Sequence, residues 1–365
     1  MNRRTIMLTA ASVLGAVLAF SASAQERSVH VYNWSDYIDD SILADFTKET
    51  GIKVVYDVFD SNEILETKLL AGGSGYDVVV PSGHFLVRQI QAGVFQKLDK
   101  GKLPNLVNMW DVILQRTAEY DPGNEYSVNY MWGTTGIGYN TKKIKDALGI
   151  DQIDSWDVVF KPENISKLKD CGVYMLDQSQ DMVPAALHFL GLDPNARDSE
   201  SFEKAEALFM SIRPSIRKFH SSEYINALAN GDICLAVGWS GDVFQARDRA
   251  AEADQGVDVA YVIPKEGAEM WFDQMAIPAD AKNVDEAHAF INYMMKPEVA
   301  AKASNYVYYA NGNKASQQFI SKEVLEDPAI YPDEATMAKL YTVQPYGTKE
   351  QRLVTRLWTK VTTGQ

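Results

Sequence analysis

Three short runs of this chain pair a large aromatic ring with a carboxylate: Trp34-Ser35-Asp36-Tyr37, Trp239-Ser240-Gly241-Asp242 and Trp271-Phe272-Asp273. Tyr306 and Tyr308-Tyr309 add further rings, and Asp181 adds another acid. The chemistry such a set matches is capture of an elongated organic cation. Indole and phenol faces attract ammonium groups and pack on methylenes, while carboxylates pair with charged ends. Each feature also has a structural explanation. Trp34, Trp239 and Trp271, taken singly, read as core aromatics. Asp242 and Asp181 suit the first turns of the helices that follow them. Asp273 is harder to explain that way, because a carboxylate beside Trp271 and Phe272 needs a cationic partner if buried.

Catalytic alternatives have less support. Ser35, Ser82 and Ser240 lack a Gly-x-Ser-x-Gly elbow. A secreted glycoside hydrolase using Asp181 and Asp242 as acid and base stays open on composition alone, since the spacing of its carboxyls is a spatial property. The five histidines form no His-x-x-x-His pair, so no metal is expected. Gly72-Gly73-Ser74-Gly75 invites comparison with a phosphate loop. It lacks the following Gly-Lys-Ser/Thr and precedes a strand rather than opening a helix after one.

The elements that must position these residues alternate. Ser28–Asn33 reads as a strand, Ile38–Thr50 as a helix stopped by Gly51, Ile52–Phe59 as a strand and Ser61–Ala71 as a helix. Asp77–Pro81 reads as a buried strand followed by a helix over Phe85–Ala92. Tyr126–Asn140 is an extended crossing segment. Helical pieces are expected around Thr141–Leu148, Asn164–Asp170, Met182–Leu190, Phe202–Ser211, Val243–Ala253, Val284–Met294, Glu334–Tyr341 and Glu350–Val361. Strands are expected at Ile233–Gly238, Val257–Ile263 and Asp273–Ile277. The fold class implied is α/β: two open lobes joined by extended strands, with a hinge and the loops of the strand ends facing one interlobe ligand cleft. The expected first lobe is 28–134 plus approximately 258–320, and the second is 135–257 plus approximately 321–365.

Arg3-Arg4, the apolar run Met7–Phe20 and Ala22-Ser23-Ala24 form a basic region, a short hydrophobic region and a small-residue cleavage box. That pattern predicts a signal peptide over 1–24 and a mature protein working in an oxidising compartment. The net charge of −14 becomes more negative once Arg3 and Arg4 leave, which disfavours nucleic acid and anionic lipid as partners. Cys171 and Cys234 are the only cysteines, and in that compartment a pair is expected to form a disulfide.

Several long runs resemble the polyamine-binding proteins of bacterial ABC importers, in the putrescine- and spermidine-binding branch. They are Tyr32–Tyr37, Glu49–Asp60, Asp77–Ser82, Gly231–Asp242 and Tyr309–Asn313. The resemblance implies a periplasmic, monomeric carrier without a cofactor, which delivers its ligand to an inner-membrane ABC permease, and it implies the Cys171–Cys234 bridge. It also implies roles: Trp34 as an aromatic wall, Ser35 and Ser82 as polar contacts, then Asp181, Trp239 with Asp242, Trp271 with Asp273, and Tyr309. Tyr37 and Gln344 are expected near one end of the ligand. Asp181 stands where the putrescine branch usually has Glu, and Trp271 where a putrescine-type binder has Phe. The broader indole leads to the expectation that spermidine is preferred, with putrescine or broad polyamine binding as the alternative.

Overall fold

The computed structural model describes residues 27–365, and the signal peptide expected over 1–24 lies outside them. Ten strands build one sheet: β1 (Ser28–Trp34), β2 (Lys53–Phe59), β3 (Val78–Val79), β4 (Ser127–Asn140), β5 (Val173–Met175), β6 (Lys218–Phe219), β7 (Leu235–Trp239), β8 (Val259–Val262), β9 (Met270–Ala276) and β10 (Ala310–Asn311). The order is β2-β1-β3-β9-β4-β7-β5-β6, with β8 and β10 also pairing with β4. Pairing is parallel within β2-β1-β3 and within β7-β5-β6, where helical crossovers return the chain. It is antiparallel along β3-β9-β4-β7. The central strand β4 is buried at all 14 positions, consistent with a crossing segment covered on both faces.

Two apolar cores form on either side of this crossing. Val29, Val31, Phe46, Leu65, Val78, Leu86 and Phe290 belong to the first. Trp156, Phe160, Val173, Met182, Phe209, Val237 and Val354 belong to the second. The alternation of β9 divides it between them: Trp271 and Met275 enter the first core, Met270 and Phe272 the second. The expectation that residues from about 258 onward join the first lobe does not match the packing of β8. Val259 lies in the second core, because β8 folds back antiparallel on the Ile137–Asn140 end of β4.

Local signals explain most helix limits. Asp39 caps the helix Asp40–Thr50 by accepting from the Ser41 amide, and Gly51 ends it in the left-handed conformation. The helices that were not expected include Asp111–Thr117, Tyr224–Ala229, and Pro297–Val307 with its proline in the first turn. Conversely, Glu334–Tyr341 is helical only over Glu334–Met337, since Tyr341 leaves to bridge Glu269. Asn164–Asp170 reduces to the short turns Pro162–Ile165 and Ser166–Leu168. The glycine-rich segment makes no phosphate cradle, because the Ser74 amide donates to the Asp280 carboxylate at 2.6 Å.

Cys171 and Cys234 are joined across the starts of the neighbouring parallel strands β5 and β7, with Cα atoms 5.5 Å apart and a sequence separation of 63. Closing a loop of that length constrains the unfolded chain by about 4 kcal/mol. Replacing both cysteines with alanine should lower the unfolding free energy by about that amount in a denaturant titration. A midpoint that does not move would show the bridge to be mechanically idle.

Candidate functional site

Ten of the eleven residues expected at the site line one cleft formed by loops from both cores: Trp34, Ser35, Tyr37, Ser82, Asp181, Trp239, Asp242, Trp271, Asp273 and Tyr309. Gln344 is not among them. Its amide donates to Asn195 Oδ1 at 2.8 Å and its carbonyl accepts from Arg197 at 2.6 Å, which hold its segment against the Asn195–Arg197 loop instead.

Trp34 closes β1, and its indole is pinned by a 2.9 Å bond from Nε1 to the Val80 carbonyl. It meets Trp239 nearly edge-on, with ring centroids 5.7 Å apart, so the two cores each contribute one wall. Ser82 stands at the N-cap of the helix Gly83–Gln91 but caps nothing. Its hydroxyl donates to Asp273 Oδ1 at 2.6 Å, while Asn62 Nδ2 donates to it at 3.0 Å. Tyr37 Oη donates to the other Asp273 oxygen at 2.7 Å. Trp271 and Asp273 share one face of β9 through the two-residue period of the strand.

The opposite wall is built at the end of β7. Asp242 sits in the first turn of the helix Ser240–Ala253, with its carboxylate between Tyr224 Oη and Tyr309 Oη, each donating at 2.7 Å. Tyr309 reaches it only because Gly241 has no side chain: a Cβ there would lie 2.5 Å from the tyrosine ring. Asp181, in the first turn of the helix Ser179–Phe189, accepts from Trp239 Nε1 at 2.8 Å and weakly from Thr135 Oγ1 at 3.3 Å. Gly133 plays a related part on β4, since a Cβ would meet Trp271 at 2.7 Å.

All three acids are buried: Asp273 is 4% exposed, Asp181 6% and Asp242 8%. Burial is the largest influence on each and pushes the carboxyl of Asp181 up to about 7, of Asp242 to about 6 and of Asp273 to about 7. The hydrogen bonds that each accepts pull the other way without reversing the outcome. Dense negative potential inside aromatic walls favours a cation that desolvates readily and carries methylene groups. His84 lines the same cleft as a neutral imidazole, its pKa pushed down to about 3 by burial and then by Arg88.

Sequence reasoning missed the residues that hold the acids, chiefly Tyr224 and Asn62, along with Asp60, Gln178, Ser221 and Ser222 on the cleft wall. Only an aromatic or amide beside a turn marks them in sequence, and their partners lie far along the chain.

The two cores are also tied across the exposed edge of the cleft. Arg249 donates to Asp36 Oδ1 at 2.7 Å and Gln245 to the Asp36 carbonyl at 3.2 Å, joining the β1 loop to the helix Ser240–Ala253. Neither Asp36 nor Arg249 lines the cleft. Arg249→Ala should therefore speed ligand release by about two- to fivefold, the scale of an exposed ion pair, and leave the association rate nearly unchanged in stopped-flow measurements. Slower association with unchanged release would contradict a closing role.

A carboxylate-floored aromatic cleft between two α/β lobes defines a class of ligand carriers, and the chain belongs to the family of bacterial extracellular solute-binding proteins, which matches residues 41–332. It is 53% identical, over the full length of both chains, to the putrescine-binding periplasmic protein SpuD of Pseudomonas aeruginosa. It is 52% identical to the putrescine-binding periplasmic protein PotF of Escherichia coli over 100% of this chain and 99% of that one. A putative spermidine/putrescine ABC transporter structure from Listeria monocytogenes superposes with a TM-score of 0.83 at 34% identity, covering 93% of this chain and 100% of that one. Within the family, the chain falls in the putrescine- and spermidine-binding branch of periplasmic proteins serving ABC importers. It is a binding protein rather than an enzyme, and the hydrolase alternative on Asp181 and Asp242 is set aside.

Proposed function

We propose that the protein captures a short polyamine of the putrescine class in the periplasm and hands it to an inner-membrane ABC permease. The observation that carries this reading is the convergence of three buried acids with raised proton affinity inside walls of Trp34, Trp239, Trp271 and Tyr309. An ammonium at either end of a short methylene chain supplies the charge those acids lack, and the rings pack on the chain between. The two full-length relatives named for putrescine support a diamine as the principal ligand over the spermidine preference expected from sequence. Export through the 1–24 leader, action as a monomer and ligand contacts from the ten cleft residues belong to the same reading. So do two lobes of 28–134 plus about 271–320 and 135–270 plus about 321–365, the boundary near 258 moved to follow the packing of β8.

A second reading, preference for spermidine, rests on Trp271. Its indole stands in the cleft wall against Tyr309, with ring centroids 5.2 Å apart, and its Nε1 is buried without a partner. That leaves a broad indole face toward a longer ligand. Calorimetric titration with putrescine, spermidine, spermine, amino acids and sugars tests both readings. Binding of putrescine and no response to sugars or amino acids is expected, and no response to any polyamine would end the proposal. Trp271→Phe should shift the spermidine-to-putrescine affinity ratio toward putrescine; an unchanged ratio rejects the selectivity role of the ring.

A further inference from the structure

The cleft accounts for Asp181, Asp242 and Asp273, and backbone amides hold the buried Asp77 and Asp121, but one further buried carboxyl is unexplained. Glu269 is 2% exposed, and its Oε2 has no hydrogen-bond partner. It precedes Trp271 by two residues, at the approach to β9. One residue links it to the cleft: Thr135 donates through its amide to the Glu269 carbonyl at 3.1 Å and through Oγ1 to Asp181 at 3.3 Å. On the other side Glu269 bridges Tyr341, with the Met270 amide donating to the Tyr341 carbonyl at 2.8 Å and the Tyr341 amide to the Ala268 carbonyl at 3.1 Å. The hydroxyls of Tyr341 and Tyr346 are buried and unpartnered, as is Oε1 of Gln180, the neighbour of Asp181.

Buried polar atoms are nearly always paired, so four unpaired ones from three separate segments mark a polar cluster behind the cleft wall rather than ordinary core. Its chemistry repeats that of the cleft, a carboxyl among phenol rings. We propose that Glu269, Tyr341 and Tyr346 form an inner ammonium subsite, reached past Asp181, that takes the third charged group of a linear triamine. The proposal rests on the polyamine reading of the cleft and deepens it. A diamine spans the cleft acids alone, whereas a triamine delivers one more cation, and a buried carboxyl is costly to keep charged without one. Burial pushes the Glu269 carboxyl well up, and the charge of Asp181 adds to that. The titratable groups facing it are Asp181, Tyr120, Tyr341 and Tyr346, with His188 against the Tyr341 ring and Arg197 over the Tyr346 ring. No lysine or arginine is hydrogen-bonded or ion-paired to Glu269 among the described residues, which leaves its charge for a ligand.

The test is calorimetric titration of the parent and Glu269→Gln with putrescine and with spermidine at fixed pH and salt. The substitution should weaken spermidine by about tenfold or more and putrescine by less than about twofold. Tyr346→Phe, which removes a single hydroxyl, should weaken spermidine alone by about threefold. A measurement on the unmodified protein keeps the proposal exposed should Glu269→Gln fail to fold. In two buffers of different ionisation enthalpy near pH 7, spermidine should release about one more proton than putrescine, as pairing with the third ammonium ionises the Glu269 carboxyl. Equal losses for both ligands, no loss for either, or equal proton release overturns the subsite. If putrescine binds the parent and only the spermidine effect is missing, the subsite fails by itself. If neither polyamine binds the parent, the polyamine reading falls and the subsite with it.

Discussion

Asp242→Asn and Asp273→Asn should each weaken polyamine binding by roughly 100-fold or more while leaving a folded protein. A desolvated charge pair broken on one side costs about 2–5 kcal/mol, because the remaining charge stays buried and unpaired. The substitution preserves shape: at each site one flanking hydroxyl can still donate to the amide oxygen, and the other can turn to accept from the amide nitrogen. Asp242 keeps Tyr224 and Tyr309, and Asp273 keeps Ser82 and Tyr37. In the ligand-free protein the change should even be mildly stabilising at neutral pH, since it removes a buried group that resists ionisation. Dissociation constants from calorimetry, set beside denaturant midpoints of the same samples, check both halves. Two folded variants with the parent's affinity would remove these acids from the site.

Affinity should rise by roughly 100-fold or more between pH 5.5 and 7.5 and level off above that. The sign follows from the raised proton affinity of Asp181, Asp242 and Asp273, at about 7, 6 and 7. Below those values the acids hold protons that a diammonium ligand must displace, so binding releases protons and tightens as pH increases. Folding follows the opposite trend without ligand. Each acid binds its proton more firmly in the native chain than in the unfolded one, where the ordinary value of 3.8 applies. The stability this contributes is complete below about pH 4 and is lost as pH rises through 6 to 7. Saturating ligand should cancel that loss, so the ligand-induced rise in thermal midpoint should be larger at pH 7.5 than at pH 5.5. Titrations at constant ionic strength across this range test the claim, and a flat affinity contradicts it.

Most of the residues that line the cleft were legible from sequence because they announce themselves locally. Trp34, Trp239 and Trp271 each stand at or near a strand end beside a polar or acidic residue, and strand ends of an α/β sheet face the cleft. What holds those groups was not legible. The pairings of Asp242 with Tyr309 and of Asp273 with Tyr37 span 67 and 236 positions, and no local pattern reports a contact at that range. Gln344 is a separate case: it is not among the residues lining the cleft, and Arg197 donates to its backbone carbonyl. The helix Pro297–Val307 was overlooked despite a fair signal, namely a proline in its first turn and apolar Val299, Ala300, Ala303 and Val307 at helical spacing. Strand β8 was assigned by order along the chain, yet register on β4 decides which core it covers.

The central claim is that three buried carboxyls and their aromatic walls hold the two ends and the methylene chain of a polyamine. The most direct measurement is a crystal structure of the protein with putrescine. The account predicts the ligand in the interlobe cleft, both ammonium groups within hydrogen-bond distance of oxygens from Asp181, Asp242 or Asp273, and the methylenes against Trp34, Trp239 or Trp271. Putrescine bound outside that cleft, or inside it with neither end on any of the three carboxylates, would contradict it.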